Sequence, residues 1–450
     1  MKRIVFWALL VLLCASTFML AFNVGLVRAQ APETVYINSD GGVSPSYAPI
    51  ATVDNITYTF TGNISYPAYY GIVVERSNIV IEGNGYALQG FNQSGTGLSN
   101  QMSNVTIENT NIESFSDGIY LSTSSDDTVS GNNITANGGT GILLTDSSND
   151  TISGNTATAN YDGIWLDYFS NNNIVSGNTA TANSAYGIDL QDSSSYNTVS
   201  GNTATADSYG IYLDGSSNNT VSGNNATANY DGIYLDSSSN NTFSRNNVTA
   251  NSYGIYLDGS SNNTFGGNDV IANSDSGIYV YSSFDCIING NNVSVNTYDG
   301  IYLGTSSDDT VSGNNITANS ADGIYLENSS NNIMYHNSFV GNSVQAYADS
   351  ASLGNVWDNG YPSGGNYWSD YQTRYPNATE IDSSGIWNTP YVIDANNTDN
   401  YPLMSQAVVI SEFQPFMLLP LFMMITLLGA IAFKKKRNAR PRTGINKTIV

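Results

Sequence analysis

Between residues 31 and 433 this chain has no lysine: its five lysines are Lys2, Lys434, Lys435, Lys436 and Lys447. The same stretch keeps only Arg76, Arg245 and Arg374 against all 37 acidic residues, three positive charges against 37 negative, or −34. A surface of that sign repels nucleic acid and anionic lipid heads, and it argues against polyanionic substrates. Cysteine is almost missing too. Cys14 lies in an apolar leader, so Cys286 has no partner and no internal disulfide staples an exported form. With His336 the single histidine, a Ser-His-Asp triad is not worth proposing. Helical periodicity is absent from the centre of the chain, where Gly and Asn recur too often for a helix interior.

What is present is one unit, repeated. A Gly-Ile start recurs at Gly118, Gly141, Gly163, Gly187, Gly210, Gly232, Gly254, Gly277, Gly300 and Gly323, always 22 to 24 residues apart. So short a period marks a solenoid. In the copy at Gly232, the runs Ile233-Tyr234-Leu235, Thr242-Phe243-Ser244 and Asn247-Val248-Thr249-Ala250 alternate as strands do, and Ser, Asn, Asp and Gly turn the chain between them. Three short strands per coil, stacked about 4.8 Å apart, predict an all-β, right-handed, single-stranded parallel β-helix, a rod of roughly 55 Å.

The ends differ from the repeats. Met1-Lys2-Arg3 and the apolar run behind it, with the cleavage patterns Val27-Arg28-Ala29 and Ala29-Gln30-Ala31 at its end, read as a secretory signal over residues 1–29, an uncleaved anchor being the alternative. Residues 30–117 are expected to form an N-terminal cap and irregular first coils, with 34–58 as a covering segment. Regular repeats occupy 118–342 and an aromatic, Gly-rich C-terminal cap 343–404. A tether over 405–415 leads to an uncharged apolar run, 416–433, just long enough to span a bilayer as one helix. The basic tail 434–450 follows, which places the rod outside the cell membrane and the tail in the cytoplasm.

Two outward rows carry the chemistry. In the Gly-Ile-x-Leu strand, Ile and Leu face in and x faces out: Tyr120, Leu143, Trp165, Asp189, Tyr212, Tyr234, Tyr256, Tyr279, Tyr302 and Tyr325. The rings of that row are candidate carbohydrate-binding residues, because rings at strand spacing form a rigid ladder with hydroxyl rims. Such ladders also simply stiffen stacked strands. Asp214, Asp236 and Asp258 share another register, so like charges lie about 4.8 Å apart. That row is a solvated edge, a calcium site (Ca2+ being the oxygen-seeking guest) or a pair of catalytic carboxylates. The pairs Asp126-Asp127 and Asp308-Asp309 fill the place of Asn218-Asn219 and read as turn variants. A third row, Asn155, Asn178, Asn202, Asn224, Asn246, Asn268, Asn291 and Asn314, reads as structural, its amides bonding the turns above and below. Sixteen Asn-x-Ser/Thr glycosylation patterns fall between residues 31 and 404, about as many as the composition supplies.

GIVVERSNIVIEGNGYALQG at 71–90, NNTVSGNNATANYDGIYL at 218–235, GGNYWSDY at 364–371 and TPYVID at 389–394 together resemble the NosD-like right-handed β-helix repeat family, often found on archaeal surfaces. The resemblance covers residues 35–403 and implies a carbohydrate-binding or sugar-hydrolysing domain and, in name, a periplasmic copper-handling role. Copper favours imidazole and soft sulfur. Before the apolar run only His336, Cys286, Met102, Met334 and Met404 qualify, with Met334 and His336 expected on one side of a strand, too few for a convincing site. Ser411-Glu412-Phe413 and the tail resemble archaeal surface anchors processed by a sortase-like enzyme, although Ser411 departs from the usual Pro. The reading that follows is a membrane-tethered extracellular β-helix that needs no cofactor and binds polysaccharide or surface glycan, in surface structure, adhesion or polysaccharide capture. The alternatives are a glycan-cleaving enzyme using aspartates on the same face and a purely structural stalk.

Overall fold

The computed structural model describes residues 33–65 and 70–406. The signal, the apolar run 416–433 and the basic tail lie outside them. Among the described residues no helix is long and apolar enough to cross a membrane.

The coil that opens at Gly232 shows how alternation builds the fold. Its strands are Asp231–Asp236, Thr242–Ser244 and Asn247–Thr249. The third is shorter than the spacing predicts because Ala250 takes a left-handed backbone, φ 59°, and ends it. Each strand pairs in parallel with its equivalents one coil away: Tyr234 with Tyr212 and Tyr256, Phe243 with Val221 and Phe265, Val248 with Ala226 and Val270. Repetition gives a 15-stranded sheet, here sheet A, which carries the Gly-Ile-x-Leu strands, and 14-stranded sheets B and C. The whole is a right-handed parallel β-solenoid of about 13 turns.

Inward columns fill the interior, among them Ile233 and Leu235 from sheet A, Phe243 from B and Val248 from C, all fully buried. Phe243 stacks on Phe265 at 4.9 Å and 11°. The repeat glycine is a packing requirement: a Cβ on Gly232 would meet Val248 Cγ1 at 2.4 Å and the Gly254 carbonyl oxygen at 2.7 Å. Sheet A thus starts where it runs against sheet C.

Each corner of the coil buries a polar column. Asn224 is representative: its backbone N–H and its Nδ2 both donate to Asn246 Oδ1 at 3.0 Å, and Nδ2 also donates to the Val199 carbonyl at 3.0 Å. The B–C corner repeats this from Asn132 to Asn366 and ends on Asp399. The C–A corner repeats it from Asn137 to Asn342, with Asp207 in one place. The A–B corner keeps the bond from backbone N–H to a side-chain oxygen of the next coil from Asp127 to Asn355, with Asp150, Cys286 and Asp309 among its members. Asp126 and Asp308 are the exposed left-handed residues just before that last column, so neither Asp-Asp pair is an acid couple. At the A–B and B–C corners the buried asparagines face inward, and where a strand follows the residue two places on also faces inward and is apolar, as Val221 after Asn219 and Ala226 after Asn224. All sixteen glycosylation patterns between residues 31 and 404 carry an exposed or half-buried asparagine.

Both ends are finished. Residues 34–58 do more than cover: Val35–Ile37 pairs in parallel with Tyr70–Val74, while antiparallel returns at Val43–Ser44 and Ile50–Ala51 close the edges of sheets A and B. At the other end Trp368 stacks on Phe339 at 4.6 Å and on Tyr391 at 4.1 Å, closing the core. Its Nε1 and the Asn366 N–H donate to Asp399 Oδ2 at 2.8 and 2.7 Å.

Substituting Asn224 by Ala strands the Asn202 N–H and the Val199 carbonyl, so chemical denaturation should show a loss of about 2–5 kcal/mol. The buried aspartates set the pH dependence. At Asp150, Asp207 and Asp309 the oxygen Oδ2, in the place of an amide donor, is buried and without a partner. Burial pushes Asp150 and Asp207 up to about 7 and Asp309 to about 8. Folded values above the unfolded value mean that the native state binds more protons between them, so this contribution is fully present below about pH 4 and is lost as pH rises toward 8. Thermal melts from pH 4 to 8 should show Tm falling, and an Asp150→Asn, Asp309→Asn variant should flatten the fall.

Candidate functional site

Strand register lines up one outward column along sheet A. It runs Tyr36, Val73, Ser99, Tyr120, Leu143, Trp165, Asp189, Tyr212, Tyr234, Tyr256, Tyr279, Tyr302, Tyr325 and Tyr347. The eight aromatic positions expected from sequence stand in it, and Tyr347 continues it in a coil where Ala346 replaces the repeat Ile.

From Tyr212 to Tyr302 the rings meet one another rather than solvent. Tyr212 and Tyr234 stack at 5.3 Å and 5°, Tyr256 and Tyr279 at 4.7 Å and 15°, Tyr279 and Tyr302 at 4.3 Å and 8°. Tyr234 and Tyr256, 4.9 Å apart, tilt by 52°, and Tyr325 stands nearly perpendicular to Tyr302 and Tyr347. Strand spacing is close to ring-contact distance, so neighbouring rings cover each other's faces. The ladder with hydroxyl rims expected from sequence is there, but its ring faces are not open: the stacked part of the column turns ring edges and hydroxyl rims outward. Tyr212 and Tyr302 retain only 8% and 7% exposure. Tyr302 lies over Gly304, whose missing side chain leaves it room, and its hydroxyl donates to the Glu327 carboxylate. Burial, with Tyr279 and Asp258 adding to it, pushes the Tyr256 hydroxyl up to about 12, so it stays a hydrogen-bond donor at neutral pH.

Two further groups of tyrosines escaped the sequence reading. Tyr186, Tyr209 and Tyr253 stand just before the repeat glycines and lean onto the column: Tyr186 meets Tyr212 at 4.8 Å and 13°, Tyr253 meets Tyr279 at 5.4 Å. Tyr161, Tyr230 and Tyr298, two residues before their glycines, are 53%, 60% and 59% exposed along one margin of sheet A. They recur every third coil, roughly 14 Å apart. The signal was in plain view, as the tripeptide Tyr-Asp-Gly that all three begin.

Asp214, Asp236 and Asp258 are register partners, half-buried at the end of the same strands. Burial first, then Asp236, raises Asp214 and Asp258. A straight row offers one ion the carboxylates of neighbouring strands and no enclosing set. Among the described residues no group of three or more His, Cys, Asp or Glu is arranged to hold a metal. The copper donors do not converge either. Met334 points into the core, whereas His336, expected beside it, has φ 57° and sits on the surface with Nε2 2.9 Å from the Ser363 carbonyl. His336 takes the left-handed turn place held in other coils by Gly290 and Gly313, and Cys286 is buried in the A–B column with its thiol pushed up to about 12.

Two family models match the chain. One, described as "Periplasmic copper-binding protein (NosD)", matches residues 161–275 and 229–373; the other, "Right handed beta helix region", matches 50–204. Among solved structures, a double mutant of the periplasmic alginate epimerase AlgG is 17% identical over 68% of this chain and 80% of that one, with a TM-score of 0.45. The A-module of the mannuronan C-5 epimerase AlgE6 from Azotobacter vinelandii is 16% identical over 67% and 87%, TM-score 0.42. An alginate lyase from Paenibacillus is 17% identical over 47% and 84%, TM-score 0.37. A search of curated proteins finds no match. Likenesses this distant concern the fold alone.

Substituting Asp236 by Asn should raise Tm by a degree or two at pH 7 and low salt, and the gain should vanish at high salt, as expected for relieved like-charge repulsion. A calcium-dependent loss of Tm in the same variant would instead place an ion on the row.

Proposed function

We propose that this protein, which belongs to the NosD-like right-handed β-helix repeat family, binds carbohydrate along the tyrosine face of sheet A. The supporting observation is the hydroxyl-rimmed column flanked by the exposed rings Tyr161, Tyr230 and Tyr298. The column offers phenol groups along a line, and the marginal rings offer the free apolar faces that sugars pack against. The stretch around them carries no lysine and three arginines in all, which favours neutral polyols over polyanions.

The apolar run 416–433 and the basic tail suit a tether that holds the rod outside the cell. Surface structure, adhesion and polysaccharide capture are the roles consistent with such a placement.

Glycan-array binding of the wild type, set beside a Tyr161→Ala, Tyr230→Ala, Tyr298→Ala variant, tests the reading. These three side chains lie outside the stacked column, so Tm should hold while apparent affinity drops at least tenfold. A wild type that binds no glycan leaves a structural stalk, and reducing ends released over time would point to a glycan-cleaving enzyme.

A further inference from the structure

Between Trp165 and Tyr347 the column lacks one ring. Asp189 stands where its register neighbours are Trp165 on one side and Tyr212 on the other. A carboxyl cannot fill the space of a ring. Tyr186, at the start of the same strand, leans across and stacks on Tyr212 in its stead. Beneath that cover Asp189 is 0% exposed; its Oδ2 accepts from Gln191 Nε2 at 2.7 Å, while its Oδ1 has no partner. The buried indole Nε1–H of Trp165 is unpartnered as well. Among the described residues single buried oxygens of Asp150, Asp207, Asp231, Asp309 and Ser338 also lack a partner, but Trp165 and Asp189 set an orphan donor beside an orphan acceptor on register neighbours.

Trp165 and Tyr212 are two strand spacings apart, roughly 10 Å. Ring contacts take about 3.5–4 Å on each side, which leaves a slot one ring thick. Elsewhere along the stacked column ring faces are closed by rings of the column itself, but here the face of Tyr212 toward Asp189 is covered by Tyr186, which also stacks on Tyr209 at 5.3 Å and is removed by a rotation about its own side-chain bonds. The carboxyls nearby, Asp162, Asp167 and Asp214, would repel an acidic guest, as their electrostatic effect on Asp189 indicates.

We propose that the missing rung is a binding slot for a single pyranose ring without a carboxylate, sandwiched between Trp165 and Tyr212, with its hydroxyls bonded to Asp189 Oδ1 and Trp165 Nε1 and with Tyr186 as the cover it displaces. The proposal rests on the carbohydrate reading of this face and assigns its anchoring subsite. The marginal tyrosines then hold the units on either side.

The test is Asp189→Tyr, which restores the ring that neighbouring coils carry and closes the slot; Asp189→Leu, with Leu143 as precedent in the same column, carries the same expectation should the tyrosine not fold. Both are measured with Tyr186→Ala against arrays of neutral oligosaccharides and of polyuronates, with Trp165 fluorescence as a second readout. The expected result is binding of neutral glycans, lost at least tenfold in the Asp189 variants at unchanged Tm, tightened at least threefold in Tyr186→Ala, and accompanied by a shift in indole emission. Unchanged binding in the Asp189 variants overturns the slot and leaves the tyrosine face standing. Failure of the wild type to bind any neutral glycan overturns both, and equal or better binding of polyuronates overturns the slot's specificity.

Discussion

The structure depends on buried amides that bond to their own copies one coil away. A corner of a solenoid turns the chain inward and removes backbone groups from water without a ladder to receive them. An asparagine there accepts a backbone N–H with one end and donates with the other: Asn224 Oδ1 accepts from the Asn202 N–H, and its Nδ2 donates to Asn246 Oδ1 and the Val199 carbonyl. Three such columns, with a serine column alongside that includes Ser216, Ser238 and Ser260, fix the rotation of each coil on the last. Hydrophobic columns alone tolerate small slips, since dispersion contacts are non-directional; paired hydrogen bonds do not. Register on the outer face, and with it every candidate site, follows from this inner constraint.

Much of that was legible beforehand. The period, the parallel stacking, the strand that carries the tyrosines and one amide column at the B–C corner all follow from spacing, because the side-chain alternation of a strand is strict. The other two amide columns were equally periodic, as Thr-Ala-Asn and as the second asparagine of Asn-Asn. They were hidden because the A–B column changes identity to Asp127, Asp150, Cys286 and Asp309, and a row that varies does not look like a row. What joins those residues is geometry: each presents its backbone N–H to a side-chain oxygen of the next coil.

The tyrosine face shows where sequence reasoning stops. Register predicts that rings lie over one another, and they do, but it does not predict which way they turn. At a spacing near 5 Å phenyl groups satisfy each other, so a column that looks like a sugar platform on paper closes its own faces. The positions with open faces are those without a ring above, such as Tyr161, Tyr230 and Tyr298; beside the defect at Asp189 a ring from outside the column, Tyr186, supplies the cover. Irregularity, which reads as noise in a repeat alignment, thus marks the sites with unspent chemistry. Similarly, Met334 and His336 share a side only on an ideal strand; the left-handed turn at His336 separates them.

The most direct test of the account is residue-resolved amide hydrogen exchange. If the amide columns lock the coils, the N–H groups of Asn155, Asn202, Asn246, Asn291 and Asn337 should exchange only through global unfolding, with equal protection along the rod and as slowly as the neighbouring strand amides. Fast exchange at those corners, while the strands between them stay protected, would contradict it.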